Sequence, residues 1–245
     1  MNNIKLQRIW MTGASSTIGR ALAEELLSAG HHVALTARSL SSMQDLESRY
    51  PGQTLLAPGD LNDGQQVTGI GDRIAQVWGA LDCAVIHTDT CEYPCAKPCD
   101  ALTRERVLQA NLLATSYCVQ EALLLLRHGD SPHLVGICAA SRTFADGMRA
   151  IFESLRADVA HEGIDVTVVS PGITTDAAET AIGWPVEKIA AQIAVSLQRQ
   201  QRPLEIVVKP PFIHTSRLLT MLPDWLQSAV NKHWPGGSRR TKRAR

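Results

Sequence analysis

The sequence predicts a doubly wound α/β fold: one parallel sheet, helices on both faces, a single domain in three layers. Three observations carry this. Short apolar runs alternate with amphipathic stretches along most of the chain. The runs are continuously apolar, as in strands buried on both faces, instead of alternating apolar with polar. The first run also passes through a glycine turn directly into a helical pattern, WMTGASSTIGRA at Trp10 to Ala21. With 245 residues, 44% of them apolar, the chain suffices for one large domain and is short for two.

The elements follow in order. Arg8 to Met11 reads as the first strand. Ile18, Leu22 and Leu26 then share one helical face, and Gly30 stops that helix. Val33 to Ala37 is the second strand, Ser42 to Tyr50 a helical piece closed by Pro51-Gly52, and Thr54 to Ala57 the third strand. Val67, Ile70, Ile74 and Val77, three and four apart, mark the next helix. Ala84 to His87 is a strand, and Thr103 to Arg127 a long helix apolar on more than one face. His133 to Cys138 is a strand. Met148, Ile151, Phe152, Leu155 and Val159 stripe the helix after it. Val166 to Ser170, ended by Pro171-Gly172, is the sixth strand; Ile189, Ile193 and Leu197 mark a helix, and Glu205 to Val208 the last strand. A final amphipathic stretch spans Ser216 to Lys232. Crossovers between parallel strands are right-handed, which places a ligand crevice at the strands' carboxyl ends. The helices around 103–127 and 143–161 are too apolar for one covered face and are expected to pack on another subunit as a homo-oligomer.

Formal net charge is zero, which argues against bulk nucleic-acid binding. The basic residues Arg239, Arg240, Lys242, Arg243 and Arg245 crowd the end of the chain. We therefore divide it into a domain over 1–234 and a basic, disordered tail over 235–245. No apolar stretch is long enough to span a bilayer, and MNNIKLQ is not a secretory leader. The six cysteines then read as reduced thiols of a cytoplasmic protein. Three of them, Cys91, Cys95 and Cys99, are four apart with His87 and Asp89 nearby; this is not zinc spacing, and we assign no metal.

The glycine turn carries the first chemistry. A helix that starts at the end of a strand offers unpaired N–H groups and a positive dipole end to a phosphate, and glycine lets the backbone come close. With strands and turns placed, the chain resembles the short-chain dehydrogenase/reductase family over residues 5 to 215. The opening motif stands as Thr12-Gly13-Ala14-Ser15-Ser16-Thr17-Ile18-Gly19. Its middle glycine position holds Thr17: either its β-branched side chain crowds the pyrophosphate, or its hydroxyl donates to a phosphate oxygen. After the second strand, Ala37 stands where NAD-preferring members place an acid, and Arg38 follows. A guanidinium there suits a 2′-phosphate and adenine, so the resemblance implies NADP(H) in preference to NAD(H). Asp60-Leu61 resembles the adenine contact; the plain alternative for Asp60 is a helix N-cap. The resemblance thus implies a Rossmann-type fold with Gly13, Ser15, Ser16, Ile18, Gly19, Arg38, Asp60, Leu61 and Thr175 toward the cofactor. It also implies a small carbonyl or alcohol substrate.

The departures fall toward the reacting end. Ile86-His87-Thr88-Asp89 replaces the family's Asn-Asn-Ala-Gly without a single match. Tyr93 and Lys97 have the spacing of the catalytic Tyr-x-x-x-Lys pair, but they follow the fourth strand, not the fifth, and Pro94 breaks the turn between them. Asn111 matches the family's relay asparagine. Counting back from Gly163 puts the tyrosine position on Ser141, the lysine position on Ala145 and the serine near Ala139. Keeping the family's longer connection instead puts Phe152 and Arg156 there. Neither alignment supplies a tyrosine and a lysine, so a carbonyl reduction here lacks its usual general acid, and Asn111 with Ser141 is the remaining relay. Two functions follow: an NADP(H)-linked oxidoreductase with a degenerate site, or a catalytically silent relative acting as a dinucleotide-responsive or structural oligomer partner.

Overall fold

In the computed structural model, seven parallel strands form one sheet in the order β3-β2-β1-β4-β5-β6-β7. The structure describes residues 5–88, 101–138, 142–170, 185–198 and 202–208; of residues 101, 104 and 142–146 it describes the backbone only. The strands are β1 Arg8–Thr12, β2 His32–Thr36, β3 Thr54–Leu56, β4 Cys83–Ile86, β5 His133–Ile137, β6 Asp165–Ser170 and β7 Glu205–Val207. The helices are α1 Thr17–Ser28, α2 Gln44–Arg49, α3 Gly64–Trp78, α4 Ala101–Leu126, α5 Arg142–Val159 and α6 Val186–Leu197. This is the expected three-layer, Rossmann-type fold in a single domain, with boundaries shifted by a residue or two. The helical piece expected over 42–50 is the short α2, and a 3-10 turn, Leu40–Ser42, precedes it.

The strand pattern explains the layers. In β1, Ile9 and Met11 face one side and Trp10 the other, as a period of two requires. The first side packs on Leu22 and Leu26 of α1 and on Ile189 and Ile193 of α6. The second packs on Ile70 and Ile74 of α3, Ala122 of α4 and Phe152 of α5. Each fully buried leucine or isoleucine contributes about 1.5–3 kcal/mol of burial, so both faces are needed to hold the sheet. Trp10 is fully buried, and its indole N–H is satisfied by Thr36 Oγ1 at 3.0 Å.

Polar pins fix the sheet where strands begin. The Asp82 carboxylate accepts from Arg8 N at 2.8 Å, Arg8 Nε at 3.0 Å, Arg8 Nη2 at 2.7 Å and Asp130 N at 2.8 Å. Burial works against this charge, but the hydrogen bonds from Arg8 and Asp130 outweigh it and hold the carboxyl below its usual range.

The order reverses between β1 and β4, so the topological switch point lies at the ends of these two strands. α3 and α4 run side by side. Thr68 Oγ1 donates to Glu121 Oε1 at 2.8 Å, and a side chain added at Gly64, the start of α3, would meet the Tyr117 ring at 3.3 Å. α4 begins at Ala101. From there to Tyr117 is about 24 Å of helix. That half of α4 projects past the start of α3 and over the carboxyl edge of the sheet.

Among the described side chains of α5, the apolar stripe is covered within the chain. Met148, Phe152 and Val159 are buried, and Ile151 and Leu155 half-buried. α4 differs: Leu102, Leu113 and Leu124 are exposed, eleven residues apart and hence near one stripe. No helix among the described residues is long and apolar enough to cross a membrane. The stretch 216–232 and the 235–245 tail lie outside the described residues, as do Cys91, Cys95, Cys99, Tyr93 and Lys97.

Candidate active site

A cleft of about 790 Å³ opens at the switch point. Its floor is the β1–α1 turn. Gly13 sits at φ +66°, and a Cβ there would lie 2.5 Å from the His87 carbonyl oxygen and 2.9 Å from the His87 ring. Gly13 is therefore required twice, by the left-handed backbone and by the closeness of β4. Ser16 caps α1, its Oγ accepting from Gly19 N at 3.0 Å. A Cβ on Gly19 would lie 2.1 Å from the Gly13 carbonyl oxygen. No side chain fits at either glycine, which lets the turn pack closely on residue 87 and on itself.

Of the predicted cofactor residues, Gly13, Ser15, Ser16, Arg38, Asp60 and Leu61 all line this cleft. Two do not. Gly19 is buried beneath the turn and serves by letting the Gly13 carbonyl pass closely, while Ile18 is half-buried in α1. Thr17, expected either to crowd a phosphate or to donate to one, is exposed and lies outside the lining. As the first residue of α1 it is turned away by the helix. Asp60 is not the helix cap: Asp63 caps α3, accepting from Gln65 N at 3.0 Å and Gln66 N at 3.4 Å. Asp60 Oδ1 instead accepts from Asn62 N at 3.0 Å, which fixes the turn against the cleft. Ser141 and Thr175 lie outside the described residues.

The mismatched segment after β4 still does structural work. Thr12 Oγ1 accepts from His87 N at 2.7 Å and donates to the His87 carbonyl at 3.1 Å. Both bonds use the backbone of residue 87, so they do not depend on which side chain stands there. His87 and Thr88 are each 4% exposed, and both line the cleft. Thr88 Oγ1 lies 2.7 Å from Thr115 Oγ1, which donates to the Asn111 carbonyl at 2.8 Å. Asn111 is buried within α4 and is not part of the cleft wall. It is linked to the wall through these two threonines.

Sequence reasoning missed the second wall. Thr103, Arg106, Val107, Ala110 and Ala114 line the cleft from the overhanging half of α4. The signal was a stripe three and four apart with small residues facing inward, but nothing local says which surface that stripe meets.

The two alignments of the tyrosine position now separate. β5 ends at Ile137 and α5 begins at Arg142, so strand passes almost directly into helix. Phe152 is fully buried, its ring lying where a side chain on Gly136 would be, at 2.4 Å. Arg156 Nη1 donates to the Val166 carbonyl at 2.7 Å. Phe152 is thus core and Arg156 a tie between α5 and β6, and neither lines the cleft.

The profile of the short chain dehydrogenase family matches residues 7–184. The chain belongs to this family of oxidoreductases, whose members bind a nicotinamide dinucleotide. An uncharacterized oxidoreductase of Mycobacterium tuberculosis is 27% identical over 189 residues, covering 70% of this chain and 75% of that protein. One from Staphylococcus aureus is 27% identical over 192 residues, covering 73% and 82%. Among solved structures, a short-chain dehydrogenase from Streptomyces avermitilis superposes with a TM-score of 0.72 at 19% identity, over 93% of this chain and 96% of that one. An alcohol dehydrogenase from Thermococcus sibiricus, complexed with 5-hydroxy-NADP, gives 0.73 at 16% identity, over 84% and 99%. RhlG of Pseudomonas aeruginosa, in an NADP complex, gives 0.72 at 22%, over 84% and 96%. These structural likenesses establish the fold.

Proposed function

We propose that this chain is an NADP(H)-binding short-chain oxidoreductase with a degenerate reacting end. The observation that carries the reading is Arg38 lining the cleft beside Ala37, next to the Gly13 turn and the hydroxyls of Ser15 and Ser16. A guanidinium and two hydroxyls suit a 2′-phosphate, and no acidic side chain stands at position 37 to take a ribose 2′-hydroxyl. The bound dinucleotide supplies or accepts the hydride. The chain's own residues hold the adenosine and phosphates with Gly13, Ser15, Ser16, Arg38, Asp60 and Leu61. Thr175 is assigned to the nicotinamide side by resemblance. The substrate class is a small carbonyl or alcohol. Ser141 is the candidate proton donor, with Asn111 behind it. A lone hydroxyl is a poor acid at neutral pH, so turnover is expected about a hundred- to ten-thousand-fold below that of a tyrosine-bearing relative.

Thermal unfolding with NADPH and with NADH tests binding, because a ligand of the folded state raises the midpoint. A larger shift with NADPH is expected. Arg38→Ala should lower NADPH affinity by about ten- to a hundredfold, the worth of one charge-assisted pair, and leave NADH nearly unchanged. No shift with either dinucleotide sinks the reading. NADPH oxidation against a panel of carbonyl compounds then measures turnover, and turnover that survives Ser141→Ala removes Ser141 as the donor.

A second reading, a catalytically silent and dinucleotide-responsive relative, draws on Phe152 and Arg156. The alignment that would place the catalytic pair on them meets a core residue and a backbone tie. We also assign a second copy of this chain as the partner, held through α4, where Leu102, Leu113 and Leu124 lie exposed, with α5 beside it. The described cysteines Cys83, Cys118 and Cys138 are free thiols, in keeping with a reducing, cytoplasmic setting.

A further inference from the structure

The cleft holds a charge that the family's motifs do not account for. Arg106 lies on the overhanging half of α4 and lines the cavity from the wall supplied by that helix. Its side chain is exposed, and no ion pair joins it to a carboxylate among the described residues. Arg38 lines the same cavity from the end of β2. The one carboxylate of the lining, Asp60, is engaged within its own turn by Asn62 N at 3.0 Å and Asn62 Nδ2 at 3.3 Å. α1, whose start borders the cleft at Ser16, has no acidic residue in its first turn. Arg38 has a partner of its own, so the charge that the described lining adds is that of Arg106, beside the positive end of α1.

We infer that Arg106 is a specificity-determining residue that raises affinity for the dinucleotide carrying a 2′-phosphate, and that it does so through its charge. This rests on the NADP(H) reading above. A 2′-phosphate adds about 1.5 to 2 negative charges to the ligand. Arg106 and Arg38 line one cleft, so a phosphate bound there lies in the field of both guanidinium groups. Arg106 does not need to touch that phosphate. At separations of about 8–10 Å and the high effective dielectric of an open cleft, the extra phosphate gains about four- to tenfold in affinity from one such charge. The same charge acts less on the pyrophosphate-only ligand, and the difference between the ligands is the specificity.

The test is direct titration of the full chain with NADPH and NADH at low and at high salt, for wild type, Arg106→Gln, Arg106→Lys and Arg38→Ala. Arg106→Gln should lower the NADPH-to-NADH affinity ratio about four- to tenfold at low salt, and by less as salt screens the cleft. Arg106→Lys, which keeps the charge, should preserve the ratio. The ligand-free circular dichroism spectrum and melting midpoint report folding, which an exposed side chain should leave unchanged. If Arg106→Gln leaves the ratio intact while wild type still prefers NADPH and Arg38→Ala removes that preference, the inference falls and the cofactor reading stands. If Arg106→Lys lowers the ratio as far as Arg106→Gln, action through charge is overturned. If wild type binds both dinucleotides equally, or neither, the cofactor reading falls and takes the inference with it.

Discussion

His133 gives the chain a defined sensitivity to acid. Its ring lies at the start of β5, 1% exposed, with Nε2 at 2.8 Å from Thr167 Oγ1. Thr167 Oγ1 donates its one proton to the Pro203 carbonyl at 2.9 Å, so it must accept from the imidazole, which places a ring proton on Nε2. Burial, then the positive charges of Arg202 and Arg156, push this imidazole down from 6.5 to about 3. The unfolded chain thus binds a proton that the folded chain refuses between those two values. The stability at stake is fully present above pH 6.5 and is lost as pH falls toward 3. Linkage across this window gives a loss of about 2 kcal/mol between pH 8 and pH 5, rising to an upper limit of about 4–5 kcal/mol near pH 3. The perturbation is His133→Gln, whose amide N–H replaces the Nε2–H donor and does not titrate. The assay is urea unfolding at pH 8 and pH 5. Wild type should lose about 2 kcal/mol more than the variant over that interval. His31 is also buried, its pKa lowered by desolvation and then by His32, and acts with the same sign, but it is common to both proteins and cancels in the comparison. Equal losses in wild type and variant would refute the argument.

Three further outcomes can be checked. Gly13→Ala places a Cβ 2.5 Å from the His87 carbonyl on a left-handed backbone, and should cost about 1–3 kcal/mol in denaturant unfolding and abolish the NADPH-induced thermal shift; a retained shift would show that the turn does not cradle the ligand. Phe152→Tyr buries a hydroxyl in a fully enclosed core site, so unfolding should show a loss of about 1–3 kcal/mol with no gain in NADPH oxidation; a rise in turnover would reinstate position 152 as the catalytic one. Leu113→Glu puts a charge on the exposed stripe of α4: on the proposed pairing of two copies, light scattering should give an oligomer's mass for wild type and a monomer's for the variant, whereas equal masses would remove α4 as the contact.

The residues expected toward the adenosine and phosphates could be placed together from the sequence because they stand on short local segments. Gly13, Ser15 and Ser16 belong to one turn, Arg38 follows one strand, and Asp60-Leu61 follows another, so knowing the strands places them all at one edge. Ile18 and Gly19 show the limit of that reasoning. They belong to the motif, but neither lines the cleft: Ile18 is half-buried in α1, and Gly19 is buried where it lets the Gly13 carbonyl pass closely. The α4 wall was not legible at all. Its lining depends on how far α4 overhangs the sheet, which is set by where Tyr117 and Glu121 meet α3.

The sequence by itself determined the order of strands and helices, the parallel sheet, the glycine turn and the absence of a Tyr-x-x-x-Lys pair in either alignment. These are set by periodicity, turn chemistry and residue identity, which act over a few positions. Only the tertiary structure decided that Phe152 is core, that Arg156 ties α5 to β6, that Thr17 stands clear of the cleft, and that Arg106 shares a cavity with Arg38. Each of these depends on which side of an element meets a neighbour distant in sequence. That is fixed by burying the two faces of one sheet at the same time, a constraint no local stretch contains.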